Sequence, residues 1–291
     1  MGSNLDVIGR WAESTERELR ADAFQRDVGF LRRMLPLLEL WGRYFDAEVR
    51  GFEHVPATGP VLLVGNHSGS TLTPDTGILF GAWYRARGLE SPLFGLAFDA
   101  AFGLPWFRDL MRKLGEVPAR PENAARALDA GAAVLVYPGG DHECFRPWTD
   151  RNRVDFKGRK GFVELALRKQ VPVVPVVSHG GHHSTIILSR GRWVGWLLGT
   201  SRLRTPAFPI AFQIPWGVSL VALPGIPWPA KITMQLCRPM AWSGYGPEAA
   251  DDPVIVARCY HEITGLMQET LDQLTAEHPY PVLSRLRSLL P

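Results

Sequence analysis

The stretch Val61-Leu62-Leu63-Val64-Gly65-Asn66-His67-Ser68-Gly69-Ser70-Thr71-Leu72-Thr73-Pro74-Asp75 opens with four apolar residues that run up to a glycine, after which polar residues crowd in. Such a run predicts a buried strand over Val61–Val64. His67 then stands at the strand's carboxyl end, where the loops of an open α/β sheet form their ligand crevice. Pro74-Asp75 opens a helical pattern through Ile78, Leu79, Trp83 and Tyr84, so Asp75 falls in a helix's first turn and faces His67 across one loop. An imidazole paired with a carboxylate offers general-base chemistry: the ring accepts a hydroxyl's proton while the acid fixes the tautomer and stabilises the imidazolium. No serine or cysteine nucleophile is needed. An Asp at this position also satisfies free helix N-terminal amides with no chemistry involved, and on sequence alone both readings stand.

Outward from this stretch, short apolar runs alternate with helical patterns. Val61–Val64, Ala132–Tyr137 and Val171–Val177 are valine-rich and end in Gly, Pro or His, as buried parallel strands do. Between them the spacing predicts helices over Thr76–Arg87, Ala100–Leu114, Glu122–Ala130 and Gly161–Lys169; Pro121 opens the third and Gly131 closes it. The expected architecture is an α/β fold, a mostly parallel central sheet flanked by helices. Lys231–Cys237 reads as a later strand, and Asp251-Asp252-Pro253 caps a long final helix through Val256, Tyr260, Ile263, Met267, Leu271 and Leu274. Up to about Val49 the pattern is helical, with Leu31, Leu35 and Leu38 on one face and Arg32, Arg33 and Arg43 among the apolar residues. That helix suits either a bilayer surface or the core. The expected organisation is a helical, membrane-docking or core-packing segment over 1–48, an α/β core over 49–240, and a helical tail packed on the core over 241–291.

Composition narrows the function. The chain of 291 residues has 32 Lys+Arg against 29 Asp+Glu. A net charge of +3 argues against a dedicated nucleic-acid binder, while it suits an anionic membrane or a phosphorylated substrate. Cys144, Cys237 and Cys259 are scattered, with no CxxC pair, which points away from disulfides and structural zinc and toward a reducing, cytosolic setting. Met1 to Arg10 shows no secretory pattern. Thr205 to Ala230 is uncharged, but prolines interrupt it too often for an ordinary transmembrane helix. His179, His182 and His183 lack metal-ligand spacing and read as a loop.

Two further segments bear on chemistry. Pro138-Gly139-Gly140-Asp141-His142-Glu143 follows a predicted strand, and its glycine amides suit an oxyanion or a phosphate. Arg151, Arg153, Lys157, Arg159 and Lys160 concentrate cations ahead of a helix, for phosphate or simply as a solvated face. No GxSxG elbow, Walker loop or GxGxxG fingerprint occurs in the right context.

Together, Gly65-Asn66-His67-Ser68 with Asp75, Tyr137-Pro138-Gly139-Gly140-Asp141-His142-Glu143, Phe156-Lys157-Gly158-Arg159-Lys160-Gly161 and Val171-Pro172-Val173-Val174-Pro175-Val176 resemble the glycerolipid acyltransferases, the family of bacterial lysophosphatidate and glycerol-3-phosphate acyltransferases. The resemblance spans roughly residues 50 to 240. It implies acyl transfer from a thioester of coenzyme A or acyl carrier protein to a lipid hydroxyl. His67 would be the base and Asp75 its partner, with no metal and no permanently bound cofactor. Pro138, Gly139, Gly140 and Glu143 would form the oxyanion or substrate loop. Lys157, Arg159 and Lys160 would hold a donor or acceptor phosphate. Apart from the resemblance, the Trp-containing stretch around Trp193, Trp196, Phe208, Phe212, Trp216 and Trp228 reads as a surface for the acyl chain or the membrane, or equally as plain core. The implied partners are lipid substrates and a membrane surface, with the protein peripheral on the cytoplasmic face or cytoplasmic. Two departures stand out. Seven residues separate His67 from Asp75, more than in the commonest family pattern, so Asp141 and Glu143 are alternative acid partners. The Pro138–Glu143 loop replaces the Glu-Gly-Thr-Arg block of phosphate-acceptor enzymes and is similar to the diacylglycerol acyltransferase branch, whose acceptors are neutral. Thioester hydrolysis and non-catalytic lipid binding are the rival functions.

Overall fold

The structure, a computed structural model, describes residues 24–69, 72–103, 105–191, 208–221, 223 and 225–289. Asp27 accepts the amide of Phe30 (2.9 Å) and so caps helix α1 (Val28–Tyr44). The sequence pattern carries this helix to about Val49. The chain instead turns at Asp46, whose φ of 46° leaves the right-handed helical region, and Glu48–Arg50 forms strand β1. Strand β2 (Val61–Gly65) and helix α2 (Pro74–Arg87) follow as predicted. Strand β3 (Leu93–Ala97) escapes sequence detection because Gly95 breaks its apolar run. The predicted helix over Ala100–Leu114 is a 3₁₀ turn at Asp99–Phe102 and then helix α3 (Pro105–Leu114). Pro105 has no amide to bond backward and begins a new helix.

Next come strand β4 (Glu116–Pro118), helix α4 (Pro121–Asp129) and strand β5 (Ala133–Val136). A single helical turn, α5 (Asp141–Cys144), precedes helix α6 (Gly161–Lys169) and strand β6 (Val173–His179). Another single turn, α7 (Gly181–Ser184), leads to strands β7 (Ile186–Ser189), β8 (Ile210–Gln213) and β9 (Gly217–Leu220). Strand β10 (Thr233–Leu236) is the predicted late strand, trimmed at both ends. Helix α8 (Pro253–Glu277) is capped by Asp252, which accepts the amides of Val254 (2.8 Å) and Ile255 (3.3 Å), and helix α9 (Pro281–Arg287) follows.

Seven strands form the main sheet in the order β1-β10-β6-β2-β5-β3-β4, and β2 occupies its centre. β6, β2, β5, β3 and β4 are mutually parallel, whereas β10 runs antiparallel to β6. After β2 the chain moves outward to β3 and β4, returns to β5 beside β2, and then passes to β6 on β2's other side. Loops leaving β2, β5 and β6 therefore diverge around one crevice, the position at which such sheets bind ligands. A second, three-stranded antiparallel sheet of β7, β8 and β9 follows in the chain.

Successive β2 residues serve opposite faces, which is why the whole strand is buried. Leu62 and Val64 join Val163, Leu167, Ile263, Met267 and Leu271 of α6 and α8. Leu63 joins Leu135, Val174, Leu79 and Trp83 on the face covered by α2 and α1. Helix α1 lies close on α2 because α2 offers glycine there: a Cβ on Gly81 would sit 3.2 Å from the Leu38 Cβ. Leu37 (55% exposed) and Leu40 (59%) point away from that contact. Among the described residues no helix is long and apolar enough to cross a membrane.

Candidate active site

Gly65 ends β2 where any side chain would strike a neighbour: an added Cβ would lie 2.5 Å from Cε1 of Tyr137. The Tyr137 ring instead stacks on His67, with centroids 4.1 Å apart and planes inclined by 16°. Asn66 fixes the exit of the strand. Its Nδ2 donates to Ser178 O (2.9 Å) and its Oδ1 accepts the Ser178 amide (2.7 Å), tying the end of β2 to β6.

Asp75, fully buried, resolves the two readings of that residue by using both oxygens. Oδ1 accepts the Thr76 amide (2.8 Å), the helix-capping role. Oδ2 accepts the Ser68 amide (2.8 Å) and lies 3.1 Å from Nδ1 of His67. The long loop thus closes, and of the three candidate acids it is Asp75 that reaches the ring. A carboxylate at Nδ1 holds the proton there and leaves the lone pair on Nε2. The His67 side chain is 14% exposed. Burial opposes charging of this ring, but the charge and hydrogen bond of Asp75, then Glu143 and Glu116, outweigh it and raise His67 above an ordinary histidine.

Glu143 supports the loop from behind. Its Oε2 accepts the His67 amide (2.9 Å), and its Oε1 accepts the Asp155 amide (3.1 Å) and Nη2 of Arg146 (2.5 Å). Burial pushes this carboxyl up, against the pull of Arg146 and the two amides. Within the Pro138–Glu143 loop, the Gly140 amide donates to Tyr137 O (3.0 Å) and the Glu143 amide to Gly140 O (3.2 Å), so neither points to a ligand. Arg159 donates to Pro138 O (3.1 Å), Gly139 O (2.8 Å) and Asp141 Oδ1 (3.0 Å), which makes it the brace of the loop. Lys160 lies over the Tyr260 ring, 5.9 Å from its centroid, and Lys157 is exposed. Phe212 on β8 stacks with Trp228 (6.2 Å between centroids), Trp216 in the β8–β9 turn is half exposed, and Phe208 is partly buried just before β8. Trp193 and Trp196 lie outside the described residues.

Sequence reasoning missed two buried groups here. Glu116 on β4 pairs in register with Gly95, and its carboxyl fills the space that a Gly95 side chain would need. Burial pushes it up to about 7, opposed by His67. An acid in a three-residue edge strand carries no signal of burial, since the cause lies across the ladder. His182 is buried beside the His67 main chain with both ring nitrogens lacking a partner at hydrogen-bonding geometry; burial, then Arg146 and His67, holds it well below the usual histidine range. With His179 and His183 it sits at the end of β6 and on α7, not in a solvated loop. His179 is engaged by His278 O (3.0 Å). Burial, then nearby carboxylates, raises the Cys144 thiol well above its ordinary value, which leaves it a poor nucleophile.

A family model described as Acyltransferase matches residues 46–179. An uncharacterized protein of Mycobacterium tuberculosis is 31% identical over 274 residues, 93% of this chain and 74% of that protein. Human 2-acylglycerol O-acyltransferase 3 is 28% identical over 185 residues, 61% of this chain and 51% of that one. Among solved structures, the 1-acyl-sn-glycerophosphate (LPA) acyltransferase PlsC from Thermotoga maritima matches with a TM-score of 0.51 at 17% identity, over 91% of this chain and 90% of that chain, a likeness of fold. By its four motif blocks and these relatives, the chain belongs to the glycerolipid acyltransferase family.

Proposed function

We propose that the protein transfers a fatty acyl group from a thioester of coenzyme A or acyl carrier protein to an uncharged glycerolipid hydroxyl, with His67 as general base. The observation that carries this reading is the His67–Asp75 pair at the mouth of the central strand. Nε2 of His67 takes the acceptor's hydroxyl proton as its oxygen bonds to the thioester carbon. Asp75 stabilises the imidazolium so formed. Collapse of the tetrahedral intermediate breaks the carbon–sulfur bond, and the imidazolium returns the proton to the departing thiolate.

Two observations favour an uncharged acceptor. Arg159 braces the glycine loop, and a relative is named for acylating 2-acylglycerol, an uncharged lipid. Exposed Lys157 supports the competing lysophospholipid reading, and a mixed assay separates them. The proposal extends to a peripheral place on the cytoplasmic face of a membrane, where three buried thiols outside any disulfide are at home.

The test supplies acyl-CoA with monoacylglycerol, diacylglycerol and lysophosphatidate together and follows the products by mass spectrometry, with water as the control acceptor. His67→Ala should lose transfer by about 10²–10⁴-fold while its circular dichroism is unchanged. Near-wild-type transfer by that variant would refute the base, and release of free fatty acid alone would make the protein a hydrolase.

A further inference from the structure

The sheet of β7, β8 and β9 is apolar on its outer face as well as on its inner one. A surface antiparallel sheet ordinarily turns apolar residues to the core and polar ones to water. Here Gln213 and Ser219 share the inner face with Ala211 and Ile187, and Gln213 Nε2 donates to Ser219 Oγ (3.0 Å) and Leu220 O (3.1 Å). Outward stand Leu188 (50% exposed), Phe212 (40%), Val218 (65%) and Leu220 (38%). Phe212 faces Val218 across the ladder and Ile210 faces Leu220, so these side chains form one apolar patch, extended by exposed Trp216 and Ile226.

Charge identifies the occupant. No acidic residue occurs between Glu164 and Glu248, the span that carries the whole second sheet; Arg190 stands at the end of β7, the sequence joining β7 to β8 adds Arg192, Arg202 and Arg204, and Lys231 is taken up by Asp46 (3.4 Å) and Glu48 (3.7 Å). An apolar patch within an acid-free, cation-bearing span is complementary to an anionic lipid surface. The patch is also joined to the site: Nη1 of Arg190 donates to His142 O (2.5 Å), and the Trp228 amide donates to Ser184 O (2.7 Å) on α7, next to Ser68. Leu72, in the loop between His67 and Asp75, is exposed as well.

We infer that the outer face of the β7–β8–β9 sheet, and not helix α1, is the surface by which the protein lies on an anionic bilayer, with the His67 crevice opening beside it. The inference rests on the acyl-transfer reading only for the choice of lipid as partner. Helix α1 offers a narrower surface, since Leu38 and Trp41 are packed toward α2 and only Leu37 and Leu40 among its leucines are exposed.

Sedimentation of the purified full chain with vesicles, in the absence of substrates, tests this. Wild type should bind phosphatidylcholine–phosphatidylglycerol vesicles and not phosphatidylcholine alone. Val218→Asp combined with Leu220→Asp should weaken binding on the order of tenfold or more, and Leu37→Asp combined with Leu40→Asp should change it less than about twofold. Thermal unfolding, and transfer with detergent-dispersed substrates, should be unchanged in both. Wild-type vesicle binding by the β9 variant, loss of binding in the α1 variant instead, or no binding by wild type overturns the inference. A wild-type dimer that the β9 variant dissociates assigns the face to a second copy and overturns it too. Absence of transfer in detergent by every form would refute the acyl-transfer reading and leave the sedimentation result standing.

Discussion

Asp75 performs two tasks with two oxygens, so its replacement separates them. Asp75→Asn keeps a side chain able to accept the Thr76 amide but removes the charge beside His67. We expect turnover to fall about 10²–10⁴-fold while stability changes little. The pH profile carries a further signature. On the proposed mechanism the base acts in its neutral form, so the raised His67 should place the acid limb of kcat/KM above the ordinary histidine value, with activity rising as pH climbs through it. Without the carboxylate, burial dominates and the limb should move to lower pH. Glu116→Gln should shift it the same way by less, since Glu116 acts on the ring more weakly than Asp75 and Glu143 do. Glu143 makes a different prediction. Glu143→Ala leaves Arg146 buried without its partner and frees the His67 and Asp155 amides, which should cost about 3–5 kcal/mol in a urea titration. An unchanged midpoint would show that the pair is not a structural one.

At the scale of elements, α7 sets a pH limit on the fold. His183 packs edge-on against Trp148 (4.7 Å between centroids), and burial, then His179 and Arg151, pushes it down to about 3, against 6.5 when unperturbed. Between those values the unfolded chain binds the proton that the folded chain refuses. Stability is therefore lost as pH falls through that window, by up to about 1.4 kcal/mol per pH unit. His183→Phe retains the aromatic contact and removes the titration, so its melting temperature should decline less steeply than wild type below pH 6.5. Equal slopes would exclude His183 as the cause. Gly65→Ala probes the strand end: a Cβ against Tyr137 displaces the ring that His67 stacks on, and should cost about 1–3 kcal/mol together with activity. Which elements were legible follows from the same physics. β2 and α6 have uninterrupted apolar patterns that sequence reads to within a residue, and Asp252 marks the start of α8. β3 and β4 are short and hold Gly95 and Pro118, while β7–β9 carry apolar residues on both faces. Those strands exist through their ladder partners, which no local pattern reveals.

For the molecule as a whole, the site was legible where chemistry lies along the chain and illegible where it is assembled across strands. His67 and Asp75 flank one loop, and their pairing could be anticipated. Glu116 and His182 reach the same neighbourhood from β4 and α7, and only the folded sheet brings them there. Arg159 shows how a charge can serve the fold: its half-exposed guanidinium donates to carbonyls of the neighbouring loop, a use that no local pattern reveals. One more result follows from the mooring of β7 to His142 and of Trp228 to Ser184. These two bonds tie the patch to the elements around His67, and so fix the height of its Nε2 above whatever plane the patch rests on. On the proposed reading, such a molecule would sense how deep an alcohol sits in its layer. It should discriminate among acceptors by the immersion of the hydroxyl more than by the identity of the polar group above it.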